Sequence, residues 1–291
     1  MSTPKIDVLS LFHNERSLVA PYLESVGTIT LPFNLFLLDN GSTDGTPDQI
    51  GRHIDNLALP ARFVRSLRNN GFARGMNLLS QQGSGDYIFI LNPDTRLDPG
   101  CLEKLVARAE SDPRIAICEA RQSPMEHPKT FDPETGETTW CSGAAALIRR
   151  RAFEEVGRFD EKLFFMYCED VDLSWKLWLR DWKCVYVPEA LVHHYTGAVS
   201  HDRGRTQENY FSFRNTLFLY HRFRKRGESA ILGKFLLQRF TSRRYSWRSK
   251  SLFAIAFADH IRYIPYLIRS RREWGNQSHP WIRLNETSLS D

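Results

Sequence analysis

The sequence predicts an α/β sandwich over residues 1–204, built on a mostly parallel sheet and followed by a basic, mainly helical extension over 205–291. Three observations carry this expectation. Short apolar runs alternate with helix-like segments, the pattern of parallel strands joined by crossover helices. Four of those runs stop in polar turns bearing acids, amides or glycine, after Phe12, Leu38, Ser66 and Leu91. Charge is divided too. Residues 203–291 hold 18 Lys/Arg against 6 Asp/Glu, a balance of +12, while the other 202 residues hold 21 against 28, a balance of −7.

The elements follow in order. Ile6 to Phe12 is an apolar strand that ends in His13-Asn14-Glu15. Leu18, Tyr22 and Val26, four residues apart, mark a helix over Leu18 to Val26. Asn34 to Leu38 is a second strand, closed by the turn Asp39-Asn40-Gly41-Ser42-Thr43-Asp44-Gly45. Thr46 or Pro47 opens the next helix, because proline suits a first turn. Arg62 to Ser66 is a third strand, followed by the loop from Asn69 to Asn77, and Tyr87 to Leu91 is a fourth, ending in Asn92-Pro93-Asp94. Farther on, Cys184 to Val187 reads as a strand closed by Pro188. In the extension, Tyr210 to Arg226, Ala230 to Phe240 and Ser251 to Ile268 are helix candidates, the second with an apolar stripe of Ile231, Leu232, Phe235 and Leu236.

Composition narrows the class. A chain of 291 residues with 42% apolar and 25% charged residues is an ordinary globular protein. Five scattered cysteines with no CxxC pair argue against a disulfide framework and a zinc ribbon, and favour a reducing compartment. Met1 leads through Ser-Thr-Pro-Lys into a strand, so no cleavable signal peptide is expected. Asp259, His260 and Arg262 break the best candidate membrane span, so a cytoplasmic protein is expected, free or peripheral at the inner face of the plasma membrane. No GxGxxG follows a strand, and neither GxxxxGK[ST] nor GxSxG occurs. Dinucleotide dehydrogenases, P-loop kinases and serine hydrolases with a nucleophile elbow therefore lack their signatures.

Ligands of open α/β sheets sit at the carboxyl ends of the strands, so the polar turns there are the place to look for chemistry. Asp39 can hydrogen-bond a ribose hydroxyl or base edge, or simply close an Asx-turn with Asn40. Asp94 can hold Mg²⁺ or Mn²⁺ against a diphosphate, with Asn92 adding a neutral oxygen. Glu169, Asp170 and Asp172 put three carboxylates within four residues at a helix start. Capping and the helix dipole explain one or two of them, and a general base explains a third. His193 and His194 follow the late strand, and an imidazole there serves a metal only if it meets Asp94 in space.

Taken in order, these pieces resemble the family 2 glycosyltransferases, and most closely their rhamnosyltransferase-like branch. The residues that carry the resemblance are Leu38 to Gly45, Asn70 to Asn77, Leu91 to Thr95, Ser142-Gly143-Ala144, Val156 to Glu161 and Glu169 to Leu173. The resemblance implies a GT-A fold and inversion at the anomeric carbon by direct displacement from a nucleotide-sugar donor. It places Asn14, Glu15, Asp39, Asn40, Ser42, Gly71, Arg74, Asn77 and Asn92 at the donor. It puts Asp94 and His194, the latter in a His-x-x-Gly run with Gly197, at a divalent metal, Mg²⁺ or Mn²⁺. Asp170 becomes the catalytic base, with Glu169 and Asp172 positioning base or acceptor. Many relatives carry Asp-x-Asp where this chain has Asn92-Pro93-Asp94, which leaves one charge fewer on the metal and points to rhamnose carried on dTDP, with a UDP-sugar second. The acceptor class implied is a cell-surface polysaccharide or lipopolysaccharide precursor, free or lipid-linked.

The basic extension fits an anionic membrane surface, or a packing domain or homodimer interface with solvated arginines. Nucleic acid is not expected, since no recognised module accompanies the arginines. Two rival readings remain. A nucleotidyltransferase would carry a glycine-rich loop with arginine after the first strand, which Ser10 to Arg16 does not supply. A non-catalytic carbohydrate-binding protein with the same fold would have no use for Asp94, Asp170 and His194 together.

Overall fold

A computed structural model describes residues 3–54, 60–127, 129–195, 202–224, 229–243, 245–275 and 277–284. The four early strands form as the sequence predicts: β1 (Ile6–Phe12), β2 (Phe33–Asn40), β3 (Ala61–Ser66) and β4 (Tyr87–Leu91). They are joined through α1 (Val19–Val26), α2 (Thr46–Ile54) and α3 (Phe72–Ser80), and lie mutually parallel in the order β3-β2-β1-β4.

The sheet then continues in a way the apolar runs do not show. Beyond β4 come β7 (Ala145–Arg149), β6 (Ile115–Ser123), β8 (Lys183–His194) and the short β5 (Thr95–Leu97), giving eight strands. β7 runs antiparallel to both β4 and β6, β8 runs parallel to β6, and β5 runs antiparallel to β8. Pro188 does not close β8, contrary to expectation. The register slips from Ala120↔Val187 to Arg121↔Leu191, and the bulge over 188–190 absorbs the proline that a regular ladder would exclude.

Alternation along the strands sorts the core onto two faces. Ile6, Val8, Leu35, Leu37, Phe89 and Leu91 pack with α1 and α4 (Cys101–Ser111). Leu9, Phe36, Leu38, Ile88 and Ile90 pack on the other side with α3 and α6 (Glu169–Trp178). A period of two thus buries both faces, as a sandwich requires. All five cysteines are buried and free.

The extension is helical and shares this second core. α7 spans Asp202–Phe223, earlier than the predicted start, and Phe218 and Phe223 join the cluster that holds Trp175 of α6. α8 spans Ser229–Thr241. The apolar run predicted over 251–268 is two helices, α9 (Trp247–Arg262) and α10 (Ile264–Trp274), because Pro265 fits only the first turn of a new helix. No helix among the described residues is long and apolar enough to cross a membrane.

Candidate active site

The carboxyl ends of β1, β2, β4 and β8 meet at one edge of the sheet. Phe12 pairs with Asp39, so His13 to Glu15 lie beside the Asp39 turn. The two loops are tied together by hydrogen bonds. The Asn14 amide donates to Ser42 Oγ at 2.9 Å, the Thr43 amide donates to Asn14 Oδ1 at 2.8 Å, and the Glu15 amide donates to Thr46 Oγ1 at 3.0 Å. Asn14 adopts a left-handed φ of 57° to make this turn, a conformation asparagine tolerates better than most residues.

Asp39 is buried, and its Oδ1 has no hydrogen-bond partner. A buried carboxylate oxygen left open at a strand end is a natural seat for a ligand hydroxyl or N–H. Asn40 beside it is engaged otherwise. Its Nδ2 donates to Asn69 Oδ1 at 3.0 Å and Gly71 O at 3.2 Å, and its Oδ1 accepts the Asn70 amide at 3.0 Å. It braces the loop that carries Gly71. Gly71 has φ 80°, and a Cβ there would stand 2.2 Å from Phe165 O, so only glycine fits. Arg74 is exposed on α3, with no hydrogen bond or ion pair among the described residues. Asn77 is buried, and both its amide hydrogens are engaged, by Phe159 O at 3.0 Å and Glu161 Oε2 at 3.0 Å. It locks the 159–161 turn onto α3.

Asp94 and His194 do meet. Thr95 pairs with His194 across β5 and β8, and Asp94 Oδ1 stands 3.3 Å from His194 Nε2. The other ring nitrogen, Nδ1, lies 2.7 Å from Gln122 Oε1, while Gln122 Nε2 donates to Glu119 Oε1 at 3.3 Å. Gln122 Oε1, so oriented, accepts a proton from Nδ1, and a neutral His194 would then turn its Nε2 lone pair toward the carboxylate. Two electron-rich atoms facing each other at that distance suit a cation placed near both, and an imidazole fixed through its far nitrogen is the usual arrangement of a metal-binding histidine. Among the described residues no group of three or more His, Cys, Asp and Glu side chains gathers to hold a metal. Gly197 lies outside those residues. The pair therefore fits a cation that takes its remaining ligands from a diphosphate or water.

Glu15 is nearby. Burial, with the charges of Asp94 and Asp44 adding to it, raises its pKa to about 8 against one hydrogen bond from the His13 amide. Asn92 is fixed through its backbone, its amide donating to Ala144 O at 2.8 Å.

The acids at the start of α6 separate into three different environments. Asp170 Oδ2 accepts the Gly143 amide at 3.2 Å and its Oδ1 accepts the Val171 amide at 2.8 Å. Burial raises its pKa, against these bonds and the field of His127. Glu169 is buried with Oε2 unpartnered, and burial, with the charge of Asp170 adding to it, pushes its pKa well up. Asp172 is fully buried and paired with Arg222 of α7 and, at 3.3 Å, with Lys176. In this environment Asp172 ties α6 to α7.

One short segment joins the two halves of the site. Gly143 donates to Asp170 while Ala144 accepts from Asn92, so residues 143 and 144 bridge Asp170 and the Asn92-Pro93-Asp94 turn. Several residues of the site escaped sequence reasoning. Gln122 lies near the end of β6 and His127 just past it, and only their polarity there marks them. Asn215 of α7 donates to Met166 O at 2.8 Å and Tyr167 O at 2.7 Å, and Arg214 to Leu163 O at 3.2 Å, so an extension helix holds the loop before Asp170. That loop needs holding, since Tyr167 and Cys168 take successive left-handed φ values of 67° and 66°.

Comparison with known proteins fits this geometry. The glycosyl transferase family 2 model matches residues 7–157, and that of glycosyl transferase family group 2 matches 87–272. An N-acetylglucosaminyl-diphospho-decaprenol L-rhamnosyltransferase of Mycobacterium tuberculosis is 29% identical over 250 residues, covering 70% of this chain and 79% of the relative. A poly-beta-1,6-N-acetyl-D-glucosamine synthase of Staphylococcus epidermidis is 25% identical over 205 residues, covering 64% of this chain and 48% of its own length. Among solved structures, a mannosyltransferase from Pyrobaculum calidifontis in complex with GDP-Man and Mn²⁺ superposes with a TM-score of 0.65 at 15% identity, covering 99% of this chain and 87% of that one. GalNAc-T7 with UDP, GalNAc and Mn²⁺ also gives 0.65, at 16% identity, covering 94% and 59%. The fold is GT-A, an α/β sheet flanked by helices with helical segments at the C-terminal end. The chain belongs to glycosyltransferase family 2, enzymes that transfer a sugar from a nucleotide-sugar donor.

Proposed function

We propose that this enzyme is an inverting, metal-dependent transferase that moves a deoxyhexose, rhamnose from dTDP-rhamnose, or failing that a sugar from UDP, onto a hydroxyl of a cell-surface glycan precursor. The observation that carries the reading is the bridge at residues 143 and 144, which holds Asp170 and the Asn92-Pro93-Asp94 turn in one frame. In this reading residues 1–204 bind the donor and do the chemistry.

Asp170 accepts the proton of the acceptor hydroxyl as its oxygen attacks the anomeric carbon. The bond from that carbon to the diphosphate breaks on the opposite face, and the nucleoside diphosphate leaves with the bonding pair. A carboxylate whose pKa is raised by burial is a better proton acceptor than one in water, while the Gly143 and Val171 amides keep it oriented. Asp94 and His194 would hold the divalent ion, which supplies charge neutralisation at the leaving diphosphate. Asp39 would receive the nucleoside through its open Oδ1, and Glu169, with Oε2 unpartnered beside Asp170, would position the acceptor. The M. tuberculosis relative, named for rhamnosyl transfer to a decaprenol-linked sugar, supports the choice of donor and of a lipid-linked acceptor.

The test is thermal unfolding with dTDP, UDP, GDP and their sugars, each with and without Mn²⁺, followed by a turnover assay with the donor that stabilises. Stabilisation by dTDP-rhamnose only with metal, and inversion of the product's anomeric centre, is the expected result. Stabilisation by another nucleotide sugar replaces the donor. Sugar binding without any transfer or donor hydrolysis overturns catalysis in favour of a binding protein.

A further inference from the structure

The outer face of the C-terminal helices is apolar where a water-facing helix should be polar. On α9, Trp247, Ala254, Ala258 and Ile261 recur at helical spacing along one exposed stripe, flanked by Ile255 and Phe257. Trp247 is 86% exposed, Ile255 58% and Ile261 50%, and on α10 Ile268 is 55% exposed. The opposite side of α9 is properly buried, with Phe253 and Ala256 packed against Phe213 and Leu217 of α7. The helix is thus apolar on both sides, and only one side is covered.

Charge identifies what would cover the other. Residues 229–272 contain ten Lys/Arg and a single acid, Asp259. One oxygen of that acid is turned inward, accepting Tyr210 Oη at 2.8 Å and Arg214 Nη1 at 3.0 Å, while the other lies 3.5 Å from Arg262 Nη1. The exposed bases Arg248 and Arg262 on α9 and Arg269 and Arg272 on α10 flank the apolar stripe. Exposed aliphatic and aromatic side chains bordered by cations, on helices too short and too polar to span, suit a surface that is apolar beneath and anionic above. A nucleic acid offers nothing for the isoleucines.

We propose that the outward face of α9 and α10 docks on the surface of an anionic phospholipid bilayer. The proposal goes beyond the transfer reaction and does not depend on it.

The experiment uses the full chain, sedimented with phosphatidylcholine vesicles that contain or lack phosphatidylglycerol. Truncation is unsuitable, because Phe253, Leu267 and Trp274 belong to the buried core. The variant is instead the pair Ile255→Glu with Ile261→Glu, both side chains pointing out. We expect the native chain to pellet with phosphatidylglycerol vesicles, to do so less as salt rises, and the variant to lose on the order of tenfold in partition with an unchanged unfolding temperature. Native protein left in the supernatant at low salt, or a variant that pellets equally well, overturns the proposal. So does a concentration-dependent dimer that the variant abolishes and vesicles do not compete with, since a second copy would then be the partner.

Discussion

Asn215 on α7 donates its side-chain amide to the carbonyl of Tyr167 at 2.7 Å, so a helix outside the sheet sets the backbone two residues before Glu169. The same amide reaches Met166 O at 2.8 Å. Because Tyr167 and Cys168 are both left-handed, the loop has no local way to keep this shape. Replacing Asn215 with Ala should destabilise the protein by about 2–4 kcal/mol, leaving two carbonyls short of a donor. Asn215→Asp should do no better, since a carboxylate has no hydrogen to give. Thermal unfolding together with turnover per folded molecule checks this; a variant with native values on both counts removes Asn215 from any positioning role.

Asp170→Asn keeps the shape and one of the two backbone hydrogen bonds, but cannot take a proton. Turnover should fall by about 10²–10⁴-fold, while the affinity for the nucleotide sugar, measured by calorimetry, stays within a factor of about two. Near-full activity would exclude Asp170 as the base.

Asp172 should behave differently from its neighbour. Its pairs with Arg222 and Lys176 are buried, and Arg222 also reaches Asp160 Oδ2 at 2.5 Å. Arg222→Met removes the guanidinium shared by Asp160 and Asp172, leaving Asp172 with Lys176 alone, and should cost about 3–5 kcal/mol in denaturant unfolding. Adding Asp172→Asn should recover part of that loss. If the double variant is as unstable as the sum of the singles, the two residues do not act as a pair.

Glu15 gives a pH signature. Its folded pKa of about 8 lies above the ordinary 4.5, so the folded state holds the proton more tightly than the unfolded chain. Its effect on stability is therefore absent below about pH 4.5 and grows more unfavourable as pH rises toward 8. Glu15→Gln, compared without metal or donor, should unfold at the same temperature as the native chain at pH 4.5 and at a higher one at pH 8. A constant difference across that range would refute the buried, raised carboxyl.

Gln122 tests the cation site from behind. Gln122→Leu removes the acceptor that keeps the His194 proton on Nδ1, and Mn²⁺ affinity in the presence of a nucleoside diphosphate should drop by about 10–100-fold. Electron paramagnetic resonance of free Mn²⁺ reads this directly, without turnover. Unchanged affinity would leave His194 a bystander to Asp94.

How much of this was legible in the sequence depends on where each hydrogen bond ends. The β1, β2, β3 and β4 runs are locally apolar and end in their own polar turns, so strand and site appear together in one stretch of letters. Asp39 and Asp94 could be picked out on that basis, and Asp170 from the acids gathered at the start of α6. Asp172 could not be told from Asp170, because what separates them is Arg222, fifty residues away on another helix. Asn77 likewise looks like a ligand residue until Phe159 and Glu161 are seen to occupy its amide. β6, β7 and β8 were obscured for another reason: antiparallel insertion and a bulge at Pro188 break the simple alternation that a doubly wound sheet would show.

The reversed direction of β7 has an effect of its own. A strand running with β4 would deliver its beginning to the opposite rim of the sheet, but Leu91 pairs with Ala145 head to tail, so the approach to β7 arrives where β4 departs. An incoming segment thereby stands among outgoing ones and offers peptide groups, the amide of residue 143 and the carbonyl of residue 144, in place of side chains. Peptide groups are the same in every residue but proline. Substitution can redraw the pocket walls around this point, while the placing of Asp170 against the Asn92-Pro93-Asp94 turn is inherited from the chain's path and is largely immune to a change of letter.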